Sequence, residues 1–316
     1  MFRSDASSCC ILNVMLRALL LELAKSSSLR RWITSNGTTR RWAQRFVPGE
    51  ELTPAIEAAR KCNQDGMTVS LDHLGENVLT AEGAHRARVS YTDALDRIAA
   101  ENVDSNVSLK LTHLGLDLGE EFCAEQLTIV AQRAADLGNF VRVDMEGSAY
   151  TDRTLQIVRR VRAETDSVGT VIQAYLYRSE QDILNLLDIG CRIRLVKGAY
   201  KEPTQIAFPR KKDVDANFVK LMKTLLPSGI YHAMATHDPN MIEATIQFAA
   251  ERGITKDKFE FQMLYGIRTD LQARLVRQGY RLRVYIPFGH DWFPYFMRRL
   301  AERPANLLFF AKNVFR

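Results

Sequence analysis

Short runs of β-branched and aliphatic residues recur at a nearly constant interval, and this rhythm constrains the fold more than any other feature. Eight runs begin about 31 residues apart, the length of one strand followed by one helix. The runs are Met67–Asp72, Val107–Leu111, Phe140–Asp144, Thr170–Tyr175, Arg192–Val196, Ile230–Ala235, Phe259–Met263 and Leu282–Ile286. Segments with helical periodicity separate them: Ala81–Glu101, Glu120–Leu137, Asp152–Thr165, Gln181–Leu187, Ala216–Leu226, Asn240–Arg252 and Asp270–Gln278. This alternation predicts the α/β class and a (β/α)8 barrel.

A doubly wound sheet is the main structural alternative, and its nucleotide-binding motifs are absent. No two of the 17 glycines are separated by a single residue, so the sequence holds no G-x-G-x-x-G motif. The phosphate-binding motif G-x-x-x-x-G-K-[ST] is also missing. We therefore favour the barrel.

The first 66 residues differ from the rest because they hold helical patterns and no comparable strand signal. These patterns are Ile11–Leu23, Thr38–Phe46 and Leu52–Cys62. We predict two parts: an N-terminal helical arm at 1–66, and a barrel at 67–316 whose final helix lies over the active site.

Positive charge is concentrated at both ends of the chain. The 316 residues carry a net charge of +6, with +6 in residues 1–46 and +5 in residues 281–316. Two interpretations remain open, solvated basic faces or attraction to an anionic membrane surface. The sequence carries no zinc-finger spacing or RNP-type motif, so we predict no nucleic-acid partner.

The cysteines and the N-terminal apolar run indicate where in the cell the protein is located. Five scattered cysteines without a C-x-x-C pair indicate reduced thiols and a cytoplasmic protein. The apolar run Ile11–Ala24 contains Arg17 and Glu22, so it is too short and too charged to span a bilayer. A secretory signal is not predicted, whereas an organellar transit peptide stays open.

Polar residues interrupt or close several of the apolar strand runs. Lys110, Asp144, Gln173 and Arg194 each lie in such a run, where alternation points them into the barrel or its mouth. Buried cations need anionic partners, so these residues form either a structural ion-pair network or a site for an anionic ligand. The convergence of cations at one mouth favours the ligand site.

Histidines near strand ends raise a second hypothesis, a metal-dependent hydrolase. His73, His113 and His237 occupy such positions. The sequence lacks H-x-H and H-E-x-x-H spacing, and it lacks the G-x-S-x-G motif of nucleophilic hydrolases. We therefore predict no metal.

The segment after the last strand predicts a final helix. Asp291 suits its N-cap, and Tyr295, Arg298, Arg299 and Glu302 follow at three- and four-residue steps. Adjacent arginines on such a helix can grip a carboxylate in fork geometry. A solvated basic helix end is the alternative.

Four segments in order resemble those of proline dehydrogenase, in its short monofunctional bacterial form, and the resemblance covers about residues 47–316. They are Arg194–Tyr200, Ala235–Pro239, Phe259–Gly266 and Tyr285–Glu302. This resemblance implies an FAD-dependent oxidation of L-proline to 1-pyrroline-5-carboxylate, the first step of proline degradation to glutamate, with electrons passed to a membrane quinone. For such a cytoplasmic enzyme, the basic termini and the apolar tail Leu307–Phe310 suit peripheral contact with the inner face of the membrane, and packing of that tail on the barrel is the alternative.

The resemblance also assigns roles to residues that match the family motifs. Asp144 and Arg194 match catalytic positions. Substrate contacts are implied for Lys110, Tyr200, Leu264, Tyr285, Tyr295, Arg298 and Arg299, and the tyrosine at 295 favours proline over hydroxyproline. Cofactor contacts are implied for Met145, Gln173, Arg194, Lys197, Gly198, Ala199, Thr236, His237 and Glu302, the last of which also orients an arginine. A relative that keeps the flavin pocket but has lost catalysis is a third hypothesis.

Overall fold

The computed structural model describes residues 43–301, with side chains described as far as Met297. Eight parallel strands close into a barrel in which each strand pairs with its neighbours in sequence and β1 pairs with β8. The strands are β1 (Thr68–His73), β2 (Ser105–Leu109), β3 (Val141–Val143), β4 (Val168–Gln173), β5 (Ile193–Val196), β6 (His232–Ala235), β7 (Phe259–Leu264) and β8 (Leu282–Phe288). The predicted (β/α)8 barrel is confirmed.

A helix follows every strand, and one more precedes the barrel. In chain order the helices are α1 (Leu52–Gln64), α2 (Ala81–Ala100), α3 (Glu120–Asp136), α4 (Ser148–Arg162), α5 (Ser179–Leu187), α6 (Lys211–Leu225), α7 (Pro239–Glu251), α8 (Thr269–Arg277) and α9 (Trp292–Ala301). Local capping fixes two of them. The Thr80 hydroxyl accepts from the amide of Gly83 at the start of α2, and Asp238 accepts from Asn240 at the start of α7.

Two predicted strands end two residues too late, and the largest differences at helix starts are those of α4 and α6. Strand β2 ends at Leu109 because the Lys110 and Leu111 carbonyls accept turn hydrogen bonds from His113 and Leu114. Strand β4 ends at Gln173, whose carbonyl accepts from Leu176. Lys110 and Asp144 therefore follow their strands directly, rather than lying inside them as predicted. Helices α4 and α6 gain about one turn at their polar N-terminal ends.

The apolar side chains of the strands pack outward against the helices, and the barrel interior is largely polar. Val69 and Leu71 of β1 belong to the main core. The intervening Ser70 bonds the Ser108 hydroxyl at 2.9 Å, and Arg194 of β5 donates to Ser108 of β2 across the interior at 2.9 Å. This polar interior leads up to the mouth at the carboxyl ends of the strands, where barrel enzymes carry their chemistry.

A second apolar cluster holds the segment before α1 against the last helix. Ala43, Phe46 and Val47 are buried with Phe293 and Phe296 of α9. Within the predicted arm, the described residues hold α1, which overlaps the pattern Leu52–Cys62. The pattern Ile11–Leu23 and most of Thr38–Phe46 lie outside the described residues, so the division at residue 66 stays a prediction.

We expect Gly266→Ala to weaken the packing of the segment before α1 and to lower the free energy of unfolding. Gly266 has φ +72°, and a Cβ there would lie 1.9 Å from the Arg45 carbonyl oxygen. Left-handed strain and a clash with backbone together cost about 2–5 kcal/mol of unfolding free energy. Urea denaturation measures this loss.

Gly253→Ala is the matched control for that substitution. Gly253 has a similar φ of +65°, but no atom lies within 4 Å of the position that an alanine methyl group would take there. Only the strain of about 1–2 kcal/mol remains. Equal losses in the two variants would show that the contact with Arg45 does not matter.

Candidate active site

Four side chains from separate strands meet at the mouth of the barrel. Lys110 follows β2, Asp144 follows β3, Arg194 lies in β5 and Tyr285 lies in β8. Arg194 forms an ion pair with Asp144, and the Tyr285 hydroxyl lies 3.0 Å from the other oxygen of Asp144. Residues far apart in sequence are thus in direct contact, as expected for a barrel site.

Arg194 has a donor left over after its protein contacts. Its Nη1 pairs with Asp144 and its Nη2 donates to Ser108. The guanidinium carbon lies 5.4 Å from the centre of the Tyr285 ring. The Nε atom is buried and has no hydrogen-bond partner among the described residues. A buried N–H of this kind is costly unless a ligand accepts from it.

Lys110 lies between acidic side chains on the neighbouring strand and loop. Its Nζ lies 3.2 Å from Glu76 and 3.9 Å from Asp72. Burial lowers the pKa of Lys110, but nearby acidic side chains, among them Glu76 and Asp144, outweigh burial, and the net pKa lies above its usual range. Lys110 therefore stays charged and is suited to an anionic ligand.

Apolar and aromatic side chains line one side of the mouth. Tyr295 of α9 is buried in the second apolar cluster, and Leu264 and Tyr285 pack against that cluster. Tyr200, in the loop after β5, is 41% exposed and lies near enough to raise the pKa of Lys110. The structure thus brings together the described residues predicted to contact substrate.

The described residues predicted to contact the cofactor lie at the ends of β3 to β6, the other half of the rim. Met145 and Gln173 are buried, and the Gln173 amide donates to the Glu146 carbonyl at 2.9 Å. Lys197 forms ion pairs with Asp215 and Asp238. The exposed Ala199 and the half-buried Gly198 follow it.

Hydrogen bonds fix the turn after β6, which carries two further predicted cofactor contacts. The Thr236 hydroxyl accepts from the amide of Asp238 at 3.1 Å. The His237 Nε2 atom accepts from the amide of Leu264 at 3.0 Å. This half of the rim presents several donors, including the orphan Nε of Arg194, and such a set fits the carbonyl oxygens and ring nitrogens of a flavin.

Three predicted site residues have no described side chain. Arg298 and Arg299 lie within α9, but their side chains are outside the described part of the structure. Glu302 lies beyond residue 301. Their roles stay predictions.

The histidines of the metal hypothesis make hydrogen bonds or aromatic contacts within the fold. His113 lies 3.0 Å from the Tyr91 hydroxyl, His73 stacks on Phe288, and His237 accepts from a backbone amide. Burial lowers the pKa of His113 to about 3. Between residues 43 and 301 the structure contains no group of three or more histidine, cysteine or acidic residues that could hold a metal ion.

Comparison with known proteins identifies the family. The family model of proline dehydrogenase matches residues 55–312. The chain belongs to the proline dehydrogenase family. It is 43% identical to proline dehydrogenase 1 of Bacillus subtilis over 300 residues, which cover 95% of this chain and 99% of that one. It is 40% identical to the Deinococcus radiodurans enzyme over 277 residues, or 86% and 89% of the two chains.

A solved structure shares the same barrel. The crystal structure of proline utilization A from Bdellovibrio bacteriovorus superposes with a TM-score of 0.79 at 28% identity. The match covers 84% of this chain and 33% of that one, so this chain spans about a third of the larger protein. The chain is thus a proline-oxidising enzyme of the proline dehydrogenase type. Within residues 43–301, no helix is long and apolar enough to cross a membrane.

Three acidic residues of the site were not assigned a role from sequence. Asp72 and Glu76 contact Lys110, and Glu202 accepts from the amide and hydroxyl of Ser148 beside the cofactor half. Asp72 had a usable signal, because it closes an apolar strand run. Glu76 and Glu202 lie in loops, where spacing gives no such signal.

Proposed function

We propose that this enzyme binds L-proline and FAD at the barrel mouth, oxidises proline to 1-pyrroline-5-carboxylate, and delivers the electrons to a membrane quinone. The observation that carries this proposal is the contact cluster of Asp144, Arg194 and Tyr285, together with Lys110, which Asp72 connects to this cluster. Lys110 offers positive charge for a carboxylate on one side, and the buried Nε of Arg194 offers an unused hydrogen-bond donor on the other.

The described residues on the substrate side of the mouth have distinct parts in the proposed reaction. Lys110 pairs with the substrate carboxylate and so fixes the ring in the mouth. Leu264, Tyr285 and Tyr295 exclude water from the ring. Asp144, held by Arg194 and Tyr285, would provide negative charge near the ring nitrogen, where positive charge develops as a hydride leaves the adjacent carbon of the neutral amine.

The cofactor half of the rim fits FAD. Arg194, Gln173, Lys197 and His237 would hold it through their donors, with Met145 and Thr236 packed beside them. When bound, FAD supplies the two-electron acceptor for the hydride. Arg194 would contact both halves of the site, since it pairs with Asp144 and keeps its Nε free.

Release of the bound flavin and an acceptor assay test this proposal. Heat denaturation should release FAD rather than FMN in about one equivalent per chain. In a separate assay with the native enzyme, proline oxidation should support reduction of a soluble quinone analogue and not of NAD⁺. Release of FMN, or reduction of NAD⁺ alone, would contradict the cofactor and acceptor assignments respectively.

We expect Arg298→Met to weaken proline binding far more than flavin retention. Loss of one charged partner of a carboxylate raises the KM for proline by about 10- to 100-fold. Steady-state kinetics and flavin content measure the two effects. Equal loss of both would remove Arg298 from the carboxylate clamp.

Peripheral membrane contact would bring the enzyme close to its quinone. The basic end at residues 1–46 and the apolar tail Leu307–Phe310 support this idea by composition, and both lie largely or wholly outside the described residues. Binding to anionic vesicles is expected at low salt and should weaken as salt is added. Salt-independent binding, or none, would count against it.

A further inference from the structure

Asp72 is a buried carboxyl group of the site that the proposed reaction does not use. It lies near the end of β1 with 1% of its surface exposed. Its Oδ2 contacts the Tyr285 hydroxyl and lies 3.9 Å from Lys110 Nζ. Its Oδ1 is buried and has no hydrogen-bond partner in the described part of the chain. A carboxylate with one bare buried oxygen is costly, whereas a carboxylic acid is much less so.

The Tyr285 hydroxyl lies between two carboxyl groups but has only one proton. Its oxygen contacts Oδ2 of Asp72 and lies 3.0 Å from Oδ2 of Asp144. A neutral phenol donates one hydrogen bond, so only one of these oxygens accepts it. The other contact is a hydrogen bond only if that carboxyl group carries a proton and donates to Tyr285.

The surroundings place this extra proton on Asp72 rather than on Asp144. Asp144 forms a direct ion pair with Arg194, whose guanidinium donates to Oδ1 of Asp144. Asp72 has no cation within hydrogen-bond distance among the described residues, because Lys110 lies 3.9 Å away and nearer to Glu76.

The charged and titratable groups around Asp72 agree with this assignment. They come from five elements: Glu76 of the β1–α2 loop, Tyr91 of α2, Lys110, Asp144 and Tyr285. Burial raises the pKa of Asp72, and the charge of Asp144 raises it further, against the opposing effects of Lys110 and Tyr285.

We infer that Asp72 is a positioning residue that carries a proton. Its carboxylic acid donates a hydrogen bond to the Tyr285 oxygen, and the Tyr285 hydroxyl is thereby directed to Asp144. The neutral acid also leaves the charge of Lys110 available for a substrate carboxylate. This last consequence rests on the proposed function, whereas the protonation of Asp72 does not.

Infrared spectroscopy tests the proton directly. Protein labelled with carbon-13 at the aspartate side-chain carboxyl should show an isotope-shifted carbonyl band of a protonated acid at neutral pH. The label excludes any contribution from the buried Glu146. The band should vanish in Asp72→Asn. It should persist in Asp182→Asn, a matched control in which a buried aspartate is paired with Arg178.

A pair of substitutions tests the positioning role. Asparagine keeps a donor for Tyr285, so Asp72→Asn should leave the KM for proline within about threefold of wild type. Asp72→Ala removes that donor and should raise the KM about tenfold with flavin content unchanged.

Specific results would overturn this inference. An absent band in the wild type, or a band that persists in Asp72→Asn, shows that Asp72 is ionised. An absent band in the wild type decides this even if the variants fail to fold. Equal KM values for the Asn and Ala variants remove the positioning role. A wild type that shows the band but does not oxidise proline contradicts the proposed function and leaves the protonation intact.

Discussion

Arg194→Leu should lower kcat/KM for proline by about 100- to 1,000-fold, since it leaves the Asp144 carboxylate in the mouth without its cation. The side chain is only 6% exposed, and it connects Asp144 with Ser108 while its Nε stays free for a ligand. The loss should therefore fall on kcat and on flavin content together. Steady-state kinetics and the absorbance of released flavin measure both.

Two further variants separate the role of Arg194 from a general loss of stability. Arg194→Lys keeps the charge but loses the fork of donors, so its activity should lie between those of the wild type and the leucine variant. Arg160→Leu removes an exposed arginine in the last turn of α4 that pairs with Glu121 of α3, and it should change kcat/KM by less than about twofold. Full activity in Arg194→Leu would contradict the site assignment.

Lys110→Met should raise the KM for proline by about 100-fold while flavin content stays near that of the wild type. The substitution removes a cation that is 12% exposed and leaves the charge of Glu76 in its place. An anionic ligand would then meet repulsion rather than attraction. Kinetics with proline and inhibition by a carboxylate analogue measure the effect.

Lys256→Met is the control for the lysine substitution. Lys256 donates to the Gln278 carbonyl on the surface and lies over the Tyr280 ring, away from the mouth. Its loss should leave the KM for proline unchanged. If Lys110→Met lost flavin but bound proline normally, Lys110 would belong to the cofactor half of the site instead.

The barrel could be predicted from sequence because its signal is repeated eight times. Each strand run carries β-branched residues or other apolar residues that pack outward, as Val69 and Leu71 do, and a helix follows each one. The ends of the elements were less predictable. Strand β2 stops at Leu109 because carbonyls at 110 and 111 accept turn hydrogen bonds, and apolar character alone carries no trace of that turn.

The site was predictable in part for a different reason. Charged residues next to apolar strand runs, such as Lys110 and Arg194, must meet partners at the barrel mouth, and the structure brings them together. Which residue pairs with which depends on the closure of the barrel. Thus Arg194 of β5 contacts Ser108 of β2 across the barrel interior, although β3 and β4 lie between these strands. Tyr285 of the last strand contacts Asp72 of the first.

A visible absorption spectrum recorded without oxygen, before and after addition of L-proline, tests the central claim most directly. We expect flavin bands in the purified protein and their bleaching on addition of proline, which would establish cofactor and substrate together. Flavin bands that persist with proline would contradict the proposed oxidation and favour a relative that binds the cofactor without this activity. A colourless protein that FAD cannot reconstitute would contradict the cofactor site itself.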